Sequence, residues 1–242
     1  MRICAAQTKP IKGNIQVNIE NHLSFIDRAA SNGADAIIFS ELSLTGYEPT
    51  LAKTLATNAG DSRLVIFEEI SDQIGITIGA GLPTINGNGF SISMILFRPN
   101  KPRLVYSKRY LHPDEDEFFI PGKNFPTLTI NDMTIGIAIC YELSVPDHSK
   151  TAHENGAEIY IASVAKFAKG VENAVKTLSD IATKYSTPAM MVNAIGPADN
   201  GVCTGNSSMW DNKGQLMGQL DNSREGMLIY DTRSGQIVAK TF

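Results

Sequence analysis

Ala34-Asp-Ala-Ile-Ile-Phe-Ser-Glu41 is the stretch on which the fold turns. Ala36 to Ser40 is a short run without polar alternation, the pattern of a buried strand, and it stops abruptly at a carboxylate. Upstream, Asn14 opens a segment with Ile15, Ile19, Leu23, Ile26 and Ala30 at helical spacing, an Asn-capped helix that Gly33 ends. Before it lies a short apolar run, Arg2 to Gln7, so the first 40 residues read strand, helix, strand. Downstream, Asp61 caps a helix carrying Leu64, Phe67, Ile70 and Ile74, and Ile76 to Gly81 reads as a strand closed by Leu-Pro. Ser91 to Phe97 and Arg103 to Ser107 read as strands joined by the turn Pro-Asn-Lys-Pro. Thr134 to Cys140 and Ile159 to Ser163 follow, with a short helix after Pro146 between them. Val175, Leu178, Ala182 and Tyr185 mark a late helix, and Ala189 to Ala194 the strand after it. The last 40 residues read as three strands with Gly-rich turns. Alternation of strands and helices predicts an α/β protein.

Composition narrows the function. Across 242 residues no linker-like stretch divides the chain, so one domain spanning 1–242 is expected. Hydrophobic residues at 43% and charged residues at 19% exclude a disordered chain. Twenty-one basic against 25 acidic residues, net charge -4, lack the basic surplus of a nucleic-acid binder. The longest apolar runs are strand-length, short of the ~20 residues that span a bilayer, so no membrane partner is expected. Cys4, Cys140 and Cys203 form no C-x-x-C pair and leave an odd thiol, which fits a reducing, cytoplasmic setting. His22, His112, His148 and His153 lack metal-ligand spacing and read as scattered surface residues, so neither metal nor other cofactor is expected. Gly79-Ala-Gly81 is too short for a dinucleotide fingerprint and is assigned to a turn.

Glu41, Lys108 and Cys140 each stand just beyond an apolar run, where α/β folds place function. Singly, each has an ordinary explanation: a helix-terminal charge, a solvated edge lysine, a small core hydrophobe. Together they form a chemistry. A thiol is mostly protonated near pH 7 and needs a base, for which Glu41 is the candidate. An attacked carbonyl develops oxyanion charge, which the Lys108 ammonium and the backbone N–H of Tyr141 are suited to hold.

These motifs resemble the nitrilase superfamily of carbon-nitrogen hydrolases, with its Glu-Lys-Cys triad. Ile-Ile-Phe-Ser-Glu41-Leu-Ser-Leu-Thr-Gly-Tyr47 is similar to the first family motif, Tyr106-Ser-Lys108-Arg-Tyr-Leu-His to the lysine motif, and Gly136-Ile-Ala-Ile-Cys140-Tyr-Glu to the nucleophile motif. Met191-Val-Asn193-Ala-Ile-Gly and Thr204-Gly-Asn-Ser-Ser-Met-Trp-Asp-Asn-Lys-Gly214 resemble late family segments. The resemblance implies a four-layer α-β-β-α sandwich of two mixed sheets, a homodimer or higher homo-oligomer, and a small-molecule amide as substrate. It places a second glutamate at Glu115, with Glu117 as the rival position, and sets Tyr47 and Tyr141 on the substrate side. Nitrile or N-carbamoyl hydrolysis by the same triad, and a catalytically silent binding protein of this fold, are the alternatives. Relatives acting on carboxylated substrates often carry an Arg four residues after the nucleophile, where this chain has Ser144. With Glu48, Asp114, Asp116 and Glu117 on the site loops, a neutral or cationic amide is expected, unless Arg109, Lys166 or Lys169 turns into the pocket.

Overall fold

The computed structural model describes residues 1–58, 60–125 and 128–242. The amino-terminal half runs β1 (Arg2–Gln7), α1 (Ile15–Ser31), β2 (Ala36–Phe39), α2 (Ala52–Leu55), α3 (Val65–Ile74), β3 (Thr77–Asn86), β4 (Gly89–Arg98) and β5 (Lys101–Ser107). Then come β6 (Leu128–Ile130), β7 (Met133–Ile139), α4 (Pro146–Glu154), β8 (Ile159–Val164), α5 (Ala168–Tyr185), β9 (Ala189–Asn193), β10 (Ile195–Ala198), β11 (Gly201–Thr204), β12 (Ser208–Trp210), β13 (Leu216–Gln219), β14 (Gly226–Asp231) and β15 (Ile237–Thr241). Among the described residues these strands form a seven-stranded sheet ordered β15-β14-β1-β2-β3-β4-β5, a six-stranded sheet ordered β13-β12-β9-β8-β7-β6, and the hairpin β10-β11.

Both sheets are mixed, and their pleats sort the core into layers. In β1, Ile3 and Ala5 face the second sheet, whereas Cys4 and Ala6 face the helices. Between the sheets, Ile3, Ile38, Met94 and Leu96 pack against Ile137, Ile139, Ile161 and Val192. Outside the first sheet, Ile19, Phe25 and Ile26 of α1 and Phe67 of α3 cover Ile37, Phe39 and Ile78. Outside the second, Ala152 of α4 with Leu178 and Ala182 of α5 cover Ala138, Tyr160 and Ala162. The result is the expected helix-sheet-sheet-helix sandwich. The Asn14 side chain accepts from Val17 N at the start of α1, and Gly75, at φ 73°, closes α3.

Three expectations need correction. Gly79-Ala-Gly81 is not a turn: it lies inside β3, which runs on through Leu82-Pro83 to Asn86. The register explains this: β3 pairs with β2 from Thr77 to Gly79 and with β4 along nearly its whole length. Past Gly79 its other side meets loop backbone, where Leu44 N donates to Gly81 O and Thr57 N to Pro83 O, so Pro83 serves there as an acceptor and its missing N–H breaks no ladder bond. The last 40 residues hold four strands, β12 to β15. The three-residue β12 is too short to show a period and is defined by its pairing with β9 and β13. Third, His22 and His148 are buried. His22 bonds Asn18 O through Nδ1 (2.7 Å) and the Ser43 hydroxyl through Nε2 (2.9 Å), and it stacks on Phe39 at 3.8 Å. Burial lowers its pKa to about 3, so the neutral ring acts as a hydrogen-bonded core group beneath the loop after Glu41.

That loop also explains Gly81. A Cβ there would sit 2.5 Å from Leu42 N and 2.8 Å from Ser40 O, backbone atoms on either side of Glu41. Gly81→Ala is therefore expected to lower unfolding stability in urea by about 1–3 kcal/mol and to depress turnover; a wild-type midpoint would show that the close approach is not required.

Candidate active site

Each expected reactive residue follows a strand. β2 ends at Phe39 and Glu41 opens the next loop; β5 ends at Ser107 and Lys108 follows; β7 ends at Ile139 and Cys140 begins a 3-10 turn, Cys140–Ser144. Two strands belong to the first sheet and one to the second, so the site forms where the sheets face each other.

Lys108 Nζ donates to Glu41 Oε1 at 2.8 Å and to Glu115 Oε1 at 2.7 Å. The lysine side chain is fully buried, and so, within 1%, are both carboxylates. Burial alone would lower the pKa of Lys108, but the charges of the Glu41 and Glu115 carboxylates outweigh it and hold the ammonium charged. Burial raises the Glu41 carboxyl, and the Glu115 charge pushes the same way, against the pull of Lys108. Glu41 Oε2 has no partner of ordinary hydrogen-bond geometry, which leaves it a free acceptor in a dry site.

Glu115 is the acid brought to the lysine. It ends a 3-10 turn, Pro113–Glu115, in which its Oε2 accepts from His112 N at 2.8 Å. The Tyr47 hydroxyl donates to its Oε1 at 3.0 Å. Glu117, two residues on, is exposed.

Cys140 adopts φ 45°, unusual for a non-glycine residue, as at a nucleophile presented on a tight strand-to-helix turn. Burial and then the Glu41 charge push its thiol up to about 11, while Lys166 and Lys108 oppose them. The resting sulfur is thus a protonated thiol beside a carboxylate, not a preformed thiolate. The next residue, Tyr141, lies in the first turn, where its N–H has no carbonyl of the turn to bond.

Above these groups opens a cavity of about 600 Å³, lined among others by Tyr47, His112, Glu115, Phe118, Cys140 and Tyr141. Of the four acidic residues expected to charge it, only Asp114 lines it; Glu48 is buried and ion-paired to Lys12 at 2.6 Å. Lys166 and Lys169 do line it, as does Asp199, whereas the Arg109 guanidinium lies over the Tyr110 and Phe125 rings. The cavity wall is therefore of mixed charge and does not present the negative field expected from the sequence. Glu142, buried with His148 behind the Cys140 turn, escaped the sequence reading although it stands two residues after Cys140 in the quoted motif, and His148 was expected at the surface.

The carbon-nitrogen hydrolase family model matches residues 2–240, and the chain belongs to that family, an enzyme that hydrolyses carbon-nitrogen bonds. Among curated relatives it is 25% identical over 211 residues to an (R)-stereoselective amidase of a Pseudomonas species, covering 86% of this chain and 76% of the relative. It is 23% identical over 227 residues to the glutamine-dependent NAD(+) synthetase of Thermotoga maritima, covering 90% of this chain but only 39% of that longer protein. An amidase structure from Nesterenkonia sp. superposes with a TM-score of 0.85 at 24% identity, covering 95% of this chain and 89% of the other, and confirms the sandwich fold. Another structure of that amidase, a variant in complex with butyramide, has a TM-score of 0.84 at 24% identity, with the same coverage of both chains. No helix among the described residues is long and apolar enough to cross a membrane, and no group of three or more His, Cys, Asp or Glu side chains there is arranged to hold a metal ion.

Two measurements check this geometry. Iodoacetamide should label Cys140 at a rate rising roughly tenfold per pH unit from 7 to about 10, since only the thiolate reacts. Cys4 and Cys203, buried in the core with raised thiol pKa values, should stay unlabelled in the folded protein. A labelling plateau near pH 7 would instead reveal a preformed thiolate. Glu115→Gln is expected to cut kcat by roughly 10²-fold and Glu117→Gln to leave it unchanged; the reverse order in steady-state assays contradicts the assignment.

Proposed function

We propose that the protein is an amidase that releases ammonia from a small amide through a thioester on Cys140. The observation that carries this reading is the Lys108 ammonium held between Glu41 and Glu115, with the Cys140 thiol, at the start of a 3-10 turn, lining the same cavity as Glu115. Glu41 takes the Cys140 proton as sulfur attacks the amide carbon, and the carbonyl oxygen becomes an oxyanion between Lys108 Nζ and Tyr141 N–H. Glu41 then passes the proton to the amide nitrogen, the C–N bond breaks, and ammonia leaves a thioester. Water adds to that thioester with Glu41 as base, the C–S bond breaks, the sulfur regains a proton, and the carboxylic acid departs. Glu115 holds Lys108 in place while Tyr47 braces Glu115. The butyramide bound by the structural relative and the name of the Pseudomonas amidase favour an amide over a nitrile.

The same reading takes residues 1–242 as one catalytic domain that acts as a homodimer in a reducing, cytoplasmic setting. The three free cysteines support that setting.

The structure adjusts one consequence. Removing the Lys108 charge would leave two buried carboxylates unpaired, so Lys108→Met is expected to cost about 3–5 kcal/mol of stability as well as catalysis. Cys140→Ala is the cleaner test. Ammonia release from matched amides and nitriles should favour the amides, Cys140→Ala should abolish it, and intact mass after quenching should show an acyl adduct on Cys140. Undiminished turnover by Cys140→Ala sinks the mechanism; a preference for nitriles reassigns the reaction.

A further inference from the structure

The proposed oxyanion site has one donor on each sheet. Lys108 extends from β5, while Tyr141 N–H belongs to the turn after β7. Their separation must be held closely, because a misplacement of about 1 Å can cost roughly 100-fold in rate. The apolar contacts between the sheets give attraction without direction. The bonds from Lys108 to Glu41 and Glu115 lie on the first sheet's loops and set no distance to the nucleophile turn.

We propose that Glu142 is the positioning residue that sets this distance, a role that deepens the amidase reading and rests on it. Its carboxylate touches the chain beside both reacting groups. Oε1 accepts from Arg109 N, the residue after Lys108, at 2.6 Å. Oε2 accepts from Ile139 N, the residue before Cys140, at 2.7 Å. The hydroxyl of Tyr106, two residues before Lys108, lies 2.8 and 2.7 Å from the two oxygens. One carboxylate thereby ties the β5 end of the first sheet to the β7 end of the second.

The brace has a second layer. His148 Nε2 lies 3.0 Å from the Tyr106 hydroxyl and 3.4 Å from Glu142 Oε2, and His148 Nδ1 lies 2.8 Å from the Tyr160 hydroxyl. One proton arrangement satisfies the set: Tyr160 donates to Nδ1, Nε2–H donates toward Tyr106 and Glu142, and Tyr106 donates to the carboxylate. Glu142 and His148 are fully buried, and Tyr106 and Tyr160 nearly so, so no water competes for these bonds. The pattern requires a carboxylate. Two backbone N–H groups approach different oxygens, and an amide of the same size would turn its NH₂ against one of them.

Glu142→Gln is therefore the decisive variant, examined by kinetics on butyramide and by crystal structures of variant and wild type. We expect kcat to fall roughly 100-fold with KM within threefold, and the distance from Arg109 N to Ile139 N to grow by more than about 0.5 Å. A folded Glu142→Gln protein with kcat within threefold of wild type, or a loss confined to KM, overturns the proposal, as does an unchanged distance. Where Glu142→Gln does not fold, Tyr106→Phe keeps both backbone bonds and removes only the hydroxyl. It should lower kcat roughly tenfold at unchanged KM, and wild-type kcat there overturns the brace. Wild-type protein inactive on every amide would end the amidase reading, and the Arg109 N to Ile139 N distance would then decide the positioning claim alone.

Discussion

A single ammonium in a dry interior organises the charged groups at the floor of the cavity. Lys108 is removed from water completely, and an ion so placed persists only if opposite charge meets it at hydrogen-bond distance. Two carboxylates do so, one from the loop after β2 and one from the turn after β5. Burial first, and then the negative charge of Glu41, keep the neighbouring Cys140 thiol protonated, with a carboxylate already beside it.

Two sheets are needed to build such a site, and polar ties hold them in register. The Ser163 hydroxyl donates to Phe39 O at 2.9 Å, joining β8 to the end of β2 two residues before Glu41. Ser207 N donates to the Gln7 side chain at 3.0 Å, joining the strands on the other flank. Glu142 closes the set at the end of β5. The first and last of these ties lie beside the strand ends followed by Glu41, Lys108 and Cys140, where a shift between layers would do most harm. Between these ties the sheets meet mostly through apolar side chains, whose contacts carry no direction.

Local conformation adds its own constraint. Cys140 and Leu42 both adopt positive φ without being glycine, at about 1–3 kcal/mol each. These costs are offset by the packing around them: Gly81 lets its strand approach the backbone around Leu42, and His22 supports Ser43 from below. The strain turns the chain sharply just after β2 and β7, at the positions where Glu41 and Cys140 stand.

The amino-acid sequence by itself determined what depends on neighbours a few residues away. The Asn14 cap, the helical spacing of α1, the apolar runs of β2 and β7, and the placing of Glu41, Lys108 and Cys140 at strand ends were all legible. Family motifs extended that reading to Glu115, with Glu117 beside it. Tertiary structure decided which acid meets the lysine, since both occupy one loop and only one turns inward. It also decided that Gly79 to Gly81 continue a strand, that His22 and His148 are core residues, and that Lys166 and Lys169 line the cavity in place of most of the expected carboxylates. These features rest on contacts between distant parts of the chain: Glu41 to Lys108 spans 67 positions, Arg109 to Glu142 33, and Ser163 to Phe39 124. Periodicity and capping report only local backbone preference, so groups brought together by packing one sheet on another leave no pattern there to read.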